Sequence, residues 1–279
     1  ASSDAAPIFL VPNFASRSEC MSLIKFASEC LSRKLVPDGE DRAIVGSQWC
    51  PVSGRRTADL LSRMEERIAR LTGLPSHEEE ETLSFRRLEA VGADGPWFAN
   101  LHHDKNKQDG RVATVIVYLS SSSADADGGH TIFPALPRRR DDTPDAGWQT
   151  DADLERFQSA AREAYAQGRL ALGCRDHSAG CGDVGGLAAH AEAECERALQ
   201  GAQRGVAVRP RVGSALVFWS EHPNGQAADT MWHTACNPRH WQGGGARWVM
   251  QKFKTPPQPH EGETVGSAAK AGVVERDEL

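Results

Sequence analysis

Apolar positions recur at helical spacing through roughly the first 75 residues, and from Thr82 the texture changes to short β-type runs. Ser16-Arg17-Ser18-Glu19 has the pattern of a capping box, in which the serine hydroxyl and the glutamate carboxylate each take a free backbone N–H of the first turn. Cys20, Leu23, Ile24, Ala27 and Leu31 then follow on one helical face. A second helix is predicted after Thr57, with Leu60, Leu61, Met64, Ile68 and Leu71 as its stripe and Gly73 as its stop. Both stripes are expected to pack on a sheet. Val112 to Leu119 is a near-continuous apolar run, as expected for a strand covered on both faces. Val206 to Val212, Ala215 to Trp219 and Trp248 to Phe253 are further predicted strands, punctuated by Gly128-Gly129, Pro134, Pro210 and Gly213.

Short strands with Gly-rich turns indicate a β-sandwich or jelly roll. Between Pro137 and about Gly205 a different texture intervenes. Leu154, Phe157, Ala161, Ala164, Tyr165 and Gly168 give one helical stripe, Gly173 to Gly186 is rich in Gly and Cys, and Leu187 to Leu199 reads as helix again. A segment this long between two strands is expected to be an insertion over one end of the sandwich. The expected class is α+β, mainly β, with flanking N-terminal helices and a helical, Cys-containing insertion. The expected division is an N-terminal helical support region over 1–81, a β domain over 82–254 with its insertion at about 138–205, and a tail over 255–279.

Composition narrows the partners. Hydrophobic residues make up 39% and charged residues 25% of the 279, enough apolar material for a packed core. The net charge of −6 argues against nucleic acid, since no stretch concentrates enough Lys and Arg to neutralise a phosphate backbone. Arg138-Arg139-Arg140 is followed at once by Asp141-Asp142 and reads as a solvated loop. No apolar run reaches bilayer-spanning length. Ala1 in place of Met fits a targeting segment removed or left out. Arg276-Asp277-Glu278-Leu279 differs by one Lys-to-Arg change from the tetrapeptide that retrieves soluble proteins to the endoplasmic reticulum, so an ER-lumenal location is expected. Seven cysteines (Cys20, Cys30, Cys50, Cys174, Cys181, Cys195 and Cys236) fit an oxidising lumen, and their odd number leaves one thiol free or paired elsewhere.

The candidate chemistry starts at Asn100-Leu101-His102-His103-Asp104. On a strand, residues two apart share a face, so His102 and Asp104 can reach one metal while His103 points away. An imidazole and a carboxylate so placed need one more His to complete the facial triad of non-haem Fe(II) oxygenases. The pair alone is a common pattern. After it come Arg111 to Leu119, Gly128-Gly129-His130-Thr131-Ile132-Phe133-Pro134, Gly205 to Trp219, Trp232-His233-Thr234-Ala235-Cys236-Asn237-Pro238 and Gly245-Ala246-Arg247-Trp248.

This ordered series resembles the small plant and algal type of prolyl 4-hydroxylase, within the Fe(II)/2-oxoglutarate-dependent oxygenases, from about Pro12 to Lys254 with the insertion left out. The resemblance implies a double-stranded β-helix (jelly roll) core and a dioxygenase over 82–254. It implies iron ligands His102, Asp104 and His233, and Arg247 on the far carboxylate of 2-oxoglutarate. Thr131 and Tyr118 would line the cosubstrate pocket, with Arg111 and Trp219 on the substrate side. The implied cofactors are Fe(II), 2-oxoglutarate, O2 and ascorbate. The implied substrate is proline in a proline-rich peptide or a secretory-pathway protein. The charge logic agrees, because a dicarboxylate needs a metal at one end and a fixed cation at the other, and a guanidinium clamps a carboxylate with two bonds.

The chain departs from the family pattern in places. Arg247 stands where the family has Lys, and lies further from His233, beyond the Gly-rich loop Arg239 to Gly244. His130 replaces a Glu, and is expected as a loop histidine rather than a metal ligand. The family's cosubstrate-contacting Tyr is missing between Leu88 and Leu101, leaving Trp97 or Phe98 to fill its space. Cys174, His177, Cys181, His190 and Cys195 have the residue types of a zinc site, although disulfides are the expected use in an oxidising compartment. Cys236 falls where the family has a Cys, and a bridge from it to Cys195 would staple the insertion near the site. Two other readings stay open: the same chemistry on another side chain or a small molecule, and a non-catalytic ER binding module of the same fold.

Overall fold

The computed structural model of this chain describes residues 8–33, 42–45, 48–51, 54–91, 101–106, 110–137, 187–202, 205–222, 224–239 and 246–256. Three helices lie among them, α1 (Arg17–Arg33), α2 (Arg55–Thr72) and α3 (Leu187–Leu199). The strands are β1 (Ile8–Val11), β2 (Arg42–Val45), β3 (Gln48–Pro51), β4 (Ser84–Glu89), β5 (Ala113–Tyr118), β6 (Thr131–Pro137), β7 (Gly205–Val208), β8 (Ala215–Trp219), β9 (Thr234–Ala235) and β10 (Ala246–Lys254). A large sheet has the order β1-β8-β5-β10-β4-β2-β3, and a small sheet the order β7-β6-β9. His102 bridges His233 in antiparallel fashion and brings Leu101-His102 alongside the small sheet. From β4 onward the chain crosses between sheets: β4 large, Leu101-His102 small, β5 large, β6 and β7 small, β8 large, β9 small, β10 large. This winding is a double-stranded β-helix.

Strand β5 shows why its sequence is almost entirely apolar. All six of its residues are buried. Val115 and Val117 join the outer core beneath the helices, while Ile116 and Tyr118 join the core between the sheets. The same alternation on β8 sends Val217 outward to the helices and Leu216 and Phe218 inward. Leu23 and Ala27 of α1 and Leu61, Met64 and Ile68 of α2 cover the outer face. Each such large side chain contributes roughly 1.5–3 kcal/mol when fully buried.

The capping box forms as read. Ser16 N–H donates to Glu19 Oε2 at 2.8 Å and Glu19 N–H to Ser16 Oγ at 3.2 Å. Arg67 of α2 then holds the same carboxylate with two bonds, of 3.0 and 2.8 Å, tying α1 to α2. These Arg67 bonds, working against burial, lower the Glu19 carboxyl from 4.5 to about 2. A carboxyl depressed on folding stabilises above its unfolded value and loses that contribution as pH falls through its folded one. Wild type is therefore expected to melt above Glu19→Gln at pH 7, with the difference shrinking between pH 4.5 and 2. A difference that stays constant over that window contradicts the assignment.

The N-terminal region is more than a helical support. It adds β1 to one edge of the large sheet and the β2–β3 hairpin to the other, and β2 pairs in parallel with β4. The expected boundary at residue 81 therefore runs through one continuous sheet. Four-residue strands carry too little alternation to be read among helices. Strand β7 stops at Val208, short of the expected Val212, because Pro210 has no N–H for the ladder. Helix α2 starts two residues before Thr57 and ends, as expected, at Gly73, whose φ is 72°. Of the insertion, α3 is described. It packs on β6 through a face that includes Ala191, Cys195 and Ala198. The stripe from Leu154 to Gly168, the Gly- and Cys-rich run 173–186 and the terminal tetrapeptide lie outside the described residues. No helix among the described residues is long and apolar enough to cross a membrane.

Candidate active site

The small sheet builds a three-residue metal cluster by register. His102 and His233 exchange backbone hydrogen bonds, 3.0 Å and 2.9 Å, which sets their rings side by side with centroids 4.4 Å apart. His102 ends the strand segment, and Asp104 opens the 3-10 turn Asp104–Asn106. The expected continuous strand is thus only half present, because the turn rather than the pleat returns the carboxylate to the face of His102. One ligand atom from each of His102, Asp104 and His233 lies within 4.8 Å of the others. His102 Nε2 is 3.3 Å from Asp104 Oδ1, and His233 Nε2 is 3.7 Å from Asp104 Oδ2.

Asp104 and His233 have the protonation that metal binding needs. His233 Nδ1 lies 2.9 Å from Met231 O, and as the N–H donor there it leaves the lone pair on Nε2 facing the cluster. Burial lowers the His233 imidazole to about 4, so it is neutral near pH 7. For Asp104, burial alone would raise the carboxyl. His233, His102 and the Thr114 hydroxyl outweigh it and hold the group well below the usual carboxylate range. Thr114 Oγ1 donates to Oδ2 at 2.6 Å, whereas the buried Oδ1 has no hydrogen-bond donor in satisfying geometry. A buried carboxylate oxygen without a donor, next to two imidazole nitrogens, fits a divalent cation.

A second feature lies on the same interior surface. Arg247 of β10 is 2% exposed and donates from Nη2 to Thr131 Oγ1 at 2.8 Å. Tyr118 OH donates to that same Oγ1 at 2.8 Å, and the guanidinium carbon stands 5.6 Å from the Tyr118 ring centre. Arg247 Nε has no partner, and no carboxylate among the described residues pairs with this guanidinium. Burial lowers the Arg247 pKa and raises that of Tyr118. A buried cation with a spare donor is suited to one end of an anionic ligand. Phe133 and Phe218 form the wall against His233, with ring centroids at 5.5 Å and 4.7 Å.

Other expected residues go elsewhere. His103 is fully buried and turned from the cluster, with Nε2 3.0 Å from Ala228 O and its ring edge-on to Trp232. His130 is not part of the metal cluster. Thr131 and Phe133 face the site, whereas His130, itself buried at 3% exposure, lies with its Nε2 3.4 Å from Asp125 Oδ1. Trp219 is a correction: strand alternation turns Phe218 toward His233 and sends Trp219 to the opposite face, against Phe9. Arg111 is 8% exposed and clamped by Glu81, behind Asp104 rather than on an open face. Thr114 and Glu81 were not foreseen. The parity of Thr114 with Ile116 and Tyr118 carried its signal, but nothing local distinguishes Glu81 within Glu78-Glu79-Glu80-Glu81. Trp97, Phe98, Cys174, His177 and Cys181 lie outside the described residues. Cys195 and Cys236 form a disulfide with Cα atoms 5.5 Å apart, joining α3 to the segment after His233, which leaves Cys195 unavailable to zinc.

Comparison with known proteins adds sequence-level findings. The family model described as "2OG-Fe(II) oxygenase superfamily" matches residues 91–255. The chain is 27% identical over 254 residues to probable prolyl 4-hydroxylase 7 of Arabidopsis thaliana, covering 88% of this chain and 63% of that protein. It is 26% identical over 234 residues to probable prolyl 4-hydroxylase 3 of the same plant, covering 82% and 63%. The chain thus spans less than two thirds of the length of these relatives. Among solved structures, a viral collagen prolyl hydroxylase from Paramecium Bursaria Chlorella virus-1 aligns with a TM-score of 0.46 and 13% identity, covering 92% of this chain and 100% of that one.

Proposed function

Because the chain belongs to the 2OG-Fe(II) oxygenase superfamily, we propose that it hydroxylates proline in peptides or secretory-pathway proteins, using Fe(II), 2-oxoglutarate and O2. The observation that carries this reading is the pairing of two features on one interior surface, the His102/Asp104/His233 cluster and the buried guanidinium of Arg247. The bound metal with its cosubstrate supplies the oxidising power to turn C–H into C–OH, as 2-oxoglutarate becomes succinate and CO2.

The chain's own groups do the rest. His102, Asp104 and His233 would hold the metal. Arg247 and the Thr131 hydroxyl would bind the far carboxylate of the cosubstrate: the Thr131 oxygen accepts from Arg247 and Tyr118, which leaves its hydrogen to be donated to the carboxylate. Phe133 and Phe218 exclude water around His233, which strengthens the electrostatic contacts inside. The choice of proline rests on the curated relatives named above. Proline-rich segments suit such a site because their extended form is already ordered. We propose ascorbate as the reductant and an oxidising lumen as the compartment, a setting in which the Cys195–Cys236 bridge persists.

The test is succinate formation with Fe(II), 2-oxoglutarate and a proline-rich peptide, followed by mass spectrometry of the peptide. The expected result is peptide-dependent succinate with one oxygen gained on proline. Turnover confined to peptides without proline contradicts the substrate, and absence of turnover with any substrate contradicts the enzyme reading.

A further inference from the structure

The run Glu78-Glu79-Glu80-Glu81 joins α2 to β4 and has the composition of a solvated acidic loop. The structure divides it. Glu78 and Glu79 are exposed, while Glu80 is buried between Lys254 Nζ at 2.6 Å and Lys252 Nζ at 3.3 Å. Glu81 takes the Nε and Nη2 of Arg111 with its two carboxylate oxygens. The guanidinium carbon lies 3.7 Å from the centre of the Phe253 ring, and Nη1 is left 3.9 Å from Asp104 Oδ1. That oxygen is the one Thr114 does not engage.

We propose that Glu81 and Arg111 form a charge-neutral positioning pair for the metal-binding carboxylate, in which Arg111 aims Asp104 and Glu81 keeps the guanidinium from competing with the metal for Oδ1. The inference rests on the metal-site reading given above. A bare guanidinium 3.9 Å from a buried carboxylate would close on it as a two-bonded ion pair. It would also place a positive charge beside the dication, where burial leaves little screening. Glu81 removes both effects by occupying one edge of the fork. Stacking on Phe253 holds the guanidinium plane, so that edge stays turned toward Glu81. Asp104 therefore meets one remote N–H of a neutral pair, which biases the direction of its carboxylate without taking its free oxygen.

The assignment differs from a substrate-contact role for Arg111, and Mn(II) affinity separates the two. Mn(II) binding is measured by titration calorimetry on wild type, Glu81→Gln, Arg111→Gln and the double variant. Partners of this kind are worth about 10- to 100-fold in metal affinity. Glu81→Gln is expected to weaken Mn(II) by about 10-fold or more, and the double variant to bind more tightly than Glu81→Gln because the stray charge is gone. A merely structural role would damage single and double variants alike. Arg67→Met breaks the remote ion pair to Glu19 between α1 and α2, and is expected to lower the melting temperature and leave Mn(II) affinity unchanged.

The proposal is overturned if Glu81→Gln binds Mn(II) like wild type, or if the double variant binds no better than Glu81→Gln. It is also overturned if Arg67→Met weakens binding as much as Glu81→Gln, or if the only defect of Arg111→Gln is a raised peptide KM. Wild type and His233→Ala binding Mn(II) equally would remove the metal-site reading itself, a failure that the wild-type comparison identifies separately.

Discussion

His233→Ala is expected to abolish turnover and lower Mn(II) affinity by more than about 100-fold, while His103→Ala retains the metal and loses stability instead. The two residues are both buried histidines on neighbouring strand segments, yet they face opposite ways. His233 presents Nε2 to the cluster because its Nδ1 side faces Met231 O. Removing it takes one of three protein ligands and leaves Asp104 with a single imidazole neighbour. His103 lies outside the cluster, between Ala228 O at 3.0 Å and Lys105 N–H, which donates to its Nδ1 at 3.3 Å. Its truncation opens a cavity beside Trp232 and leaves Ala228 O with the Met231 N–H as its donor, at a cost of about 2–4 kcal/mol that comes mainly from the cavity. Equilibrium dialysis with Mn(II) and a thermal melt separate these outcomes. Equal loss of metal from both variants would mean that the orientation of the His102–Asp104 segment is wrong.

Arg247→Met is expected to raise the half-saturating concentration of 2-oxoglutarate by roughly 100-fold without destabilising the fold. A charge-assisted hydrogen bond contributes about 1.5–3 kcal/mol, and each 1.4 kcal/mol is about tenfold in affinity. In the chain alone this guanidinium is buried, and its Nε is unsatisfied. Replacing a buried charge that lacks a counter-ion by an apolar chain of similar length is neutral or stabilising. The expected pattern is an unchanged or higher melting temperature together with lost cosubstrate binding, a trade of stability for function. Arg247→Lys keeps the charge but not the fork and is expected to fall between wild type and Met. A marked fall in melting temperature would make Arg247 a structural residue.

The legible parts of this molecule share a cause, and so do the missed ones. Val112 to Leu119 is readable as a doubly covered strand because both faces of β5 are buried and nearly every position is apolar, with Thr114 hydrogen-bonded where it is not. The first turn of α1 was readable because its cap is made by residues three apart in sequence. His102, Asp104, His233, Thr131 and Arg247 are singled out through an ordered set of motifs, and the structure gathers the first three into one cluster and joins Thr131 to Arg247. Strands β1 to β3 were missed because four residues give no period, and their pairing is decided by long-range partners such as β8 and β4. Trp219 was misplaced by a one-residue parity, which sends neighbours on a strand to opposite faces. Glu81 was invisible because its partner Arg111 lies 30 residues away, and only the folded chain brings them together.

On the proposed function, the metal cluster and Arg247 hold the two ends of one dicarboxylate. The most direct measurement is titration calorimetry of 2-oxoglutarate into the protein with and without Mn(II), in wild type and Arg247→Met. Wild type is expected to bind saturably with Mn(II) and much more weakly without it, and Arg247→Met is expected to lose the metal-dependent binding. Binding of equal strength with and without Mn(II), or binding indifferent to the loss of Arg247, would contradict this two-ended binding.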